Sequence, residues 1–174
     1  MNYFEFYDLP ISFTPDEAQL KRTFYANSKK YHPDFFIQES PEKQAEILEL
    51  STLNNQAYQT LRHPDKRMQY ILQLKGVLAE EGQNTLPQAF LMDMMDFNES
   101  LMELEFDPNP EVLQQLQRDL TQMEDALYAA IRPQLEHYRD EAAEAAPLQA
   151  IKDYYLKRRY LLRIRENLDK FASR

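Results

Sequence analysis

The chain is predicted to be all-α. Only two of its 174 residues are glycine, whereas seven are methionine and Leu, Gln, Glu and Ala are abundant. Apolar residues recur at helical spacing through long stretches, and several prolines stand where a helix would begin. The two glycines, Gly76 and Gly82, lie just before Asn84-Thr85-Leu86-Pro87, a change of composition that separates two helical modules. The expected organisation is a module over residues 1–75, a linker over 76–87 and a second module over 88–174.

In the first module, Tyr3-Phe4-Glu5-Phe6-Tyr7-Asp8-Leu9 reads as a short aromatic helix stopped by Pro10. Thr14-Pro15-Asp16-Glu17 reads as a helix start, with Thr14 as N-cap, Pro15 in the first turn and Glu17 closing a capping box. Leu20, Phe24 and Tyr31 then recur at helical spacing, with Lys21, Arg22, Lys29 and Lys30 on other faces. A second helix starts at Ser40-Pro41-Glu42 and carries Ile47, Leu48, Leu50, Leu53, Ala57 and Leu61 on one broad stripe. A short third helix follows His63-Pro64 through Met68, Ile71 and Leu72. These elements predict an antiparallel helical hairpin with short helices at both ends.

The second module predicts a three-helix bundle. Its first helix spans residues 88–106 and is ended by Asp107-Pro108-Asn109-Pro110. Its second starts at Glu111, with Leu113, Leu116, Leu120, Met123, Leu127 and Ala130 in a heptad-like rhythm, and Pro133 should kink or break it. The third restarts at Pro147 and carries Ile151, Tyr154, Tyr155, Leu161, Leu162, Ile164, Leu168 and Phe171.

The feature that bears most on function is His32-Pro33-Asp34, set where the basic helix ending in Lys29-Lys30-Tyr31 must stop. Proline pushes the residue before it out of helical conformation, and Asp34 is expected to turn back onto backbone amides of the loop. A second copy, His63-Pro64-Asp65, falls at a helix start, where Asp65 suits the positive end of the helix dipole.

The helix over residues 88–106 carries two apolar stripes where a bundle needs one. Phe90, Met94, Phe97, Leu101 and Leu104 form a stripe for the core, while Leu91, Met92, Met95 and Met102 form a second, rotated by more than a quarter turn. Asp96, Glu99 and Glu103 run along its edge. Flexible methionines rimmed by carboxylates suit an adaptable partner surface; burial of both stripes, one of them against the first module, is the plain alternative.

Charge and composition exclude several classes. The net charge is −9, and it is divided as −1 over residues 1–75, −13 over 76–151 and +5 over 152–174. An acidic middle repels phosphate, which argues against nucleic-acid binding. There is no cysteine, so disulfides, thiolate chemistry and cysteine-ligated zinc are excluded. No long apolar run suits a membrane, and the opening Met1-Asn2-Tyr3-Phe4-Glu5 has neither a basic start nor an apolar signal core. A cytoplasmic, bacterial location is the expectation, with no cofactor and no metal.

Three segments together carry a resemblance. Tyr3-Phe4-Glu5-Phe6, Lys29-Lys30-Tyr31-His32-Pro33-Asp34 and Asn55-Gln56-Ala57-Tyr58-Gln59-Thr60-Leu61 resemble, in order and spacing, the J domain of DnaJ-type co-chaperones. The resemblance implies that Lys21, Arg22, Lys29 and Lys30 attract an acidic surface on an ATPase chaperone of the seventy-kilodalton heat-shock class. His32, Pro33 and Asp34 would then disturb a polar contact between its domains and favour ATP hydrolysis. Phe35 stands where many J domains place a basic residue, and Tyr25-Ala26 lack the positive charge common there, which points to a specialised ATPase partner.

Ala89-Phe90-Leu91-Met92-Asp93-Met94-Met95-Asp96 is similar to the corresponding helix of the HscB family, J-type co-chaperones of bacterial iron–sulfur cluster assembly, and the likeness extends over essentially the whole chain. It implies an HscA-type ATPase and an IscU-type scaffold as partners, and no enzymatic activity of the chain itself. The scaffold would be held by Leu91, Met92, Met95, Asp96, Glu99 and Glu103, with an aromatic of the last helix, Tyr160, joining them. The added cysteine-rich zinc segment that some relatives carry at the N-terminus has no counterpart in a chain without cysteine. Two other functions compete with this reading. One is a J protein with a different client. The other is a metal hydrolase ligated by His32, Asp34, His63 and Asp65, for which no general base is apparent in the sequence.

Overall fold

The computed structural model describes residues 1–142 and 145–173, and among them every regular element is helical. The helices are α1 (Tyr3–Phe6), α2 (Glu17–Lys30), α3 (Pro41–Leu61), α4 (Pro64–Leu74), α5 (Gln88–Asp93), α6 (Met95–Phe106), α7 (Pro110–His137) and α8 (Ala145–Ala172). The chain forms two compact units. The first comprises Met1–Leu74 with Tyr138–Ala142, and the second comprises Lys75–His137 with α8.

In the first unit α2 and α3 pack as an antiparallel hairpin. The Phe24 and Tyr58 rings stack 4.2 Å apart, and one turn further along α2 Asn54 reaches Ser28 at 3.1 Å. The start of α3 follows the sequence closely: Ser40 accepts from the Lys43 amide, and Pro41 occupies the first turn, where its missing donor costs nothing. The start of α2 differs from expectation. Its N-cap is Asp16, whose carboxylate accepts from the amides of Ala18 and Gln19 at 2.9 and 3.2 Å, so Thr14 and Pro15 lie outside the helix. A carboxylate at the cap satisfies two orphan donors and also faces the dipole, which favours it over threonine. Leu48, expected in the α3 stripe, is 59% exposed.

Two buried polar side chains hold this unit together. Asn54 is 1% exposed; it accepts from the Tyr7 hydroxyl at 2.9 Å and donates to the Phe24 carbonyl and the Ser28 hydroxyl, both at 3.1 Å. It therefore ties the turn after α1 to both arms of the hairpin. Burial pushes the Tyr7 hydroxyl well above the ordinary tyrosine range, so it remains a donor. Arg67 on α4 donates to the carbonyls of Phe13 and Leu61 at 3.0 and 2.7 Å, and burial lowers its pKa. Asn54→Ala should destabilise the protein by about 1–3 kcal/mol, because it removes three side-chain hydrogen bonds of a buried residue and leaves a cavity, although the Tyr7 hydroxyl keeps its bond to the residue-54 carbonyl. Thermal unfolding followed by circular dichroism measures this.

The second unit is a bundle whose core joins Met94, Phe97 and Leu104 to Leu116 and Leu120 of α7 and to Leu161, Ile164 and Leu168 of α8. An ion pair from Arg165 to Glu124 at 2.9 Å, with Arg165 also donating to Thr121, ties α8 to α7. Two expectations are corrected here. The helix over 88–106 is divided at Met94, a fully buried residue with φ −83° and ψ −8° that caps α5 and begins α6. The cost of an interrupted helical ladder is offset by sinking a whole methionine side chain into the core. Of the kink or break expected at Pro133, the break does not occur, since α7 continues to His137. A proline removes one donor from the ladder, and here the helix absorbs that loss. The last helix begins at Ala145, two residues ahead of Pro147.

Candidate functional site

The first candidate surface is built where α2 ends. Tyr31 closes the helix by donating its amide to the Asn27 carbonyl at 2.8 Å, and His32 then adopts extended backbone geometry. Pro33–Phe36 forms a single 3-10 turn. The capping role expected of Asp34 belongs to His32, whose Nδ1 accepts from the Asp34 amide at 3.2 Å. The reason is geometric: proline leaves His32 in the N-cap position of the turn, so its own side chain reaches the free amide two residues on. The Asp34 carboxylate stands 3.7 Å from the same imidazole and faces solvent. The side chains of His32 and Asp34 are 51% and 78% exposed, so the pair is presented outward on a turn fixed from within.

Lys21, Arg22, Lys29 and Lys30 are all exposed on α2. Their positions span about half the circumference of the helix, and Lys30 lies over the Tyr31 ring at 5.1 Å. The structure thus sets a positive helix face directly ahead of the His32–Asp34 turn. Phe35 and Ile37, beyond that turn, are 69% and 67% exposed. His63-Pro64-Asp65 opens α4, where the His63 carbonyl accepts the first helical bond from the Arg67 amide at 2.8 Å. Among the described residues no group of three or more His, Asp or Glu stands close enough to hold a metal ion, so the two tripeptides do not form a ligand set.

The second candidate surface lies on α5 and α6. The core stripe behaves as its spacing predicts, with Met94, Phe97 and Leu104 buried. The other stripe faces outward. Met92, Met95 and Met102 are 63%, 59% and 60% exposed and Leu91 is 40% exposed. Asp96, Glu99 and Glu103 are exposed beside them. Because of the division at Met94, Leu91 and Met92 belong to α5, while Met95 and the three carboxylates belong to α6.

Tyr160 of α8 is half-buried against these helices. Its hydroxyl accepts from Asn98 at 2.7 Å, and its ring meets Phe90 edge-on at 5.5 Å. It also lines a cavity together with Leu91, so the aromatic chosen from sequence does stand beside the exposed stripe. Sequence reasoning passed over Arg159 and Arg163, which line that same cavity. The signal was available in their spacing, since Leu156, Arg159, Tyr160 and Arg163 fall at i, i+3, i+4 and i+7 on one helix face.

Comparison with known proteins agrees with the two-unit division of the chain. Residues 3–70 match the DnaJ domain, and residues 86–169 match the family described as HSCB C-terminal oligomerisation domain. A co-chaperone protein HscB homolog of Psychromonas ingrahamii is 36% identical over 102 residues, 58% of this chain and 60% of that protein. One from Vibrio cholerae is 38% identical over 112 residues, 64% of this chain and 66% of that protein. The matches thus span a little under two thirds of these curated relatives. The solved structure of the chaperone HscB from Vibrio cholerae covers 99% of this chain and 98% of its own, with 28% identity and a TM-score of 0.69. The crystal structure of human co-chaperone protein HscB gives 26% identity and a TM-score of 0.71, covering 97% of this chain and 81% of its own.

Proposed function

Because the chain belongs to the HscB family, we propose that it is a J-type co-chaperone of iron–sulfur cluster assembly. In this reading it stimulates an HscA-type ATPase and delivers an IscU-type scaffold to it. The observation that carries the reading is the pairing, in one chain, of an outward His32-Pro33-Asp34 turn behind a basic helix with an outward methionine surface rimmed by Asp96, Glu99 and Glu103. His32, Pro33, Asp34, Lys21, Arg22, Lys29 and Lys30 meet the ATPase. Leu91, Met92, Met95, Asp96, Glu99, Glu103 and Tyr160 meet the scaffold.

The chain does no chemistry of its own in this reading. Lys21, Arg22, Lys29 and Lys30 steer an acidic surface of the ATPase onto α2, an attraction that weakens with salt. The turn then presents His32 and Asp34 to a polar contact between the domains of the ATPase. At the other surface, methionines adapt to an apolar patch of the scaffold and the carboxylates set its register. Two modest sites joined in one chain raise the effective concentration of each partner at the other.

The test is a steady-state ATPase assay with a purified HscA-type chaperone, this chain and an IscU-type scaffold. Stimulation by chain and scaffold together should exceed the sum of their separate effects. A merely additive result would remove the delivery role.

A further inference from the structure

A cavity of about 850 Å³ opens beside the methionine surface, between the α8 face carrying Leu156, Arg159, Tyr160 and Arg163 and the loop over residues 81–86. The loop is built rather than merely draped. Asn84 accepts from the Ala79 amide at 2.9 Å and donates back to the Ala79 carbonyl at 3.0 Å, and Gly82 turns the chain at φ +84°. Leu91, Leu156 and Tyr160 supply an apolar lining, and Arg159 and Arg163 supply positive charge. Arg159 leans on the Tyr155 ring at 5.6 Å, which holds its guanidinium in place.

Arg159 and Arg163 belong to the basic last segment, net +5 over residues 152–174, and face a loop wall drawn from residues 76–151, which carry a net −13. Among the described residues no carboxylate lies within ion-pairing distance of Arg159 or Arg163, although Glu81 stands on the loop wall. A planar guanidinium beside the apolar side chains of a mixed recess matches a carboxylate with an apolar neighbour. Leu91 belongs both to this cavity and to the methionine surface, so one bound protein would cover both.

We propose that this cavity is a second part of the scaffold-binding site and takes a short acidic segment of the IscU-type scaffold. A carboxylate of that segment pairs with Arg159 and Arg163, and an adjacent apolar side chain rests on Leu91 and Leu156. The assignment rests on the scaffold reading given above. It makes the whole surface bipolar, with carboxylates on the α6 side facing basic groups of the scaffold and guanidiniums on the α8 side facing acidic ones. Such an arrangement fixes the orientation of the bound protein as well as its affinity.

The test is calorimetric titration of the full chain with purified IscU-type scaffold at low and high salt. Arg159→Gln with Arg163→Gln should weaken binding by roughly tenfold or more and flatten its salt dependence. Arg159→Lys with Arg163→Lys should retain the salt dependence while losing part of the affinity. Arg163→Glu alone, at an exposed position that folding does not need, should weaken binding by at least as much as the double glutamine change. If Arg163→Glu binds as tightly as the parent while Met92→Ala with Met95→Ala does not, the inference fails and the scaffold reading stands. If the unaltered chain does not bind the scaffold, both fail.

Discussion

His32→Gln is expected to reduce stimulation of the ATPase partner to background while leaving scaffold binding intact. The change costs the fold little. The His32 side chain accepts one exposed bond, from the Asp34 amide to Nδ1 at 3.2 Å, and Pro33 shapes the turn regardless. A bond of that kind contributes about 0.5–1.5 kcal/mol at most. The expected functional loss is much larger, because on the proposed reading the imidazole and the Asp34 carboxylate act together on a polar contact of the partner. Groups acting as a unit lose most of their effect when either is removed. Single-turnover ATP hydrolysis by the HscA-type partner, with and without the chain, measures the effect. Normal stimulation by the His32 variant would show that the turn is not the contact.

Met92→Ala with Met95→Ala should do the reverse. Both side chains are about 60% exposed, at 63% and 59%, so truncating them leaves the core untouched and thermal stability nearly unchanged. In a complex each would bury most of its remaining apolar surface, worth about 1–2 kcal/mol. Together they should weaken scaffold binding by roughly a hundredfold. Stimulation by the chain without scaffold should be unaltered, since the ATPase contacts proposed above lie in the other unit. Calorimetry for binding and the hydrolysis assay, run on the same preparation, separate these effects.

Much of this architecture is legible in the amino-acid sequence. Ser40-Pro41 and Pro64 mark helix starts because a proline is harmless in a first turn. The rotation between two apolar stripes on residues 88–106 separates an inner from an outer face, and the exposed methionines lie on the outer one. Features decided by packing are not legible in the same way. Asn54 and Arg67 occupy core register, seven residues after Ile47 and four before Ile71, and a polar residue there requires explanation. Their partners are backbone carbonyls and hydroxyls brought together only by the fold. The division at Met94 carries no proline or glycine to announce it, whereas Pro133 lies inside a helix that runs on past it.

That division has a further consequence for the outer surface. Leu91 and Met92 ride on a six-residue helix far too short to be stable alone, while Met95 and the carboxylates ride on its neighbour. The two pieces meet at one side chain that no partner can touch, since Met94 is 0% exposed. The shape of the outer surface is therefore set in the interior. On the proposed scaffold reading, repacking this single core position would alter the fit of the surface while leaving every contacting residue as it was.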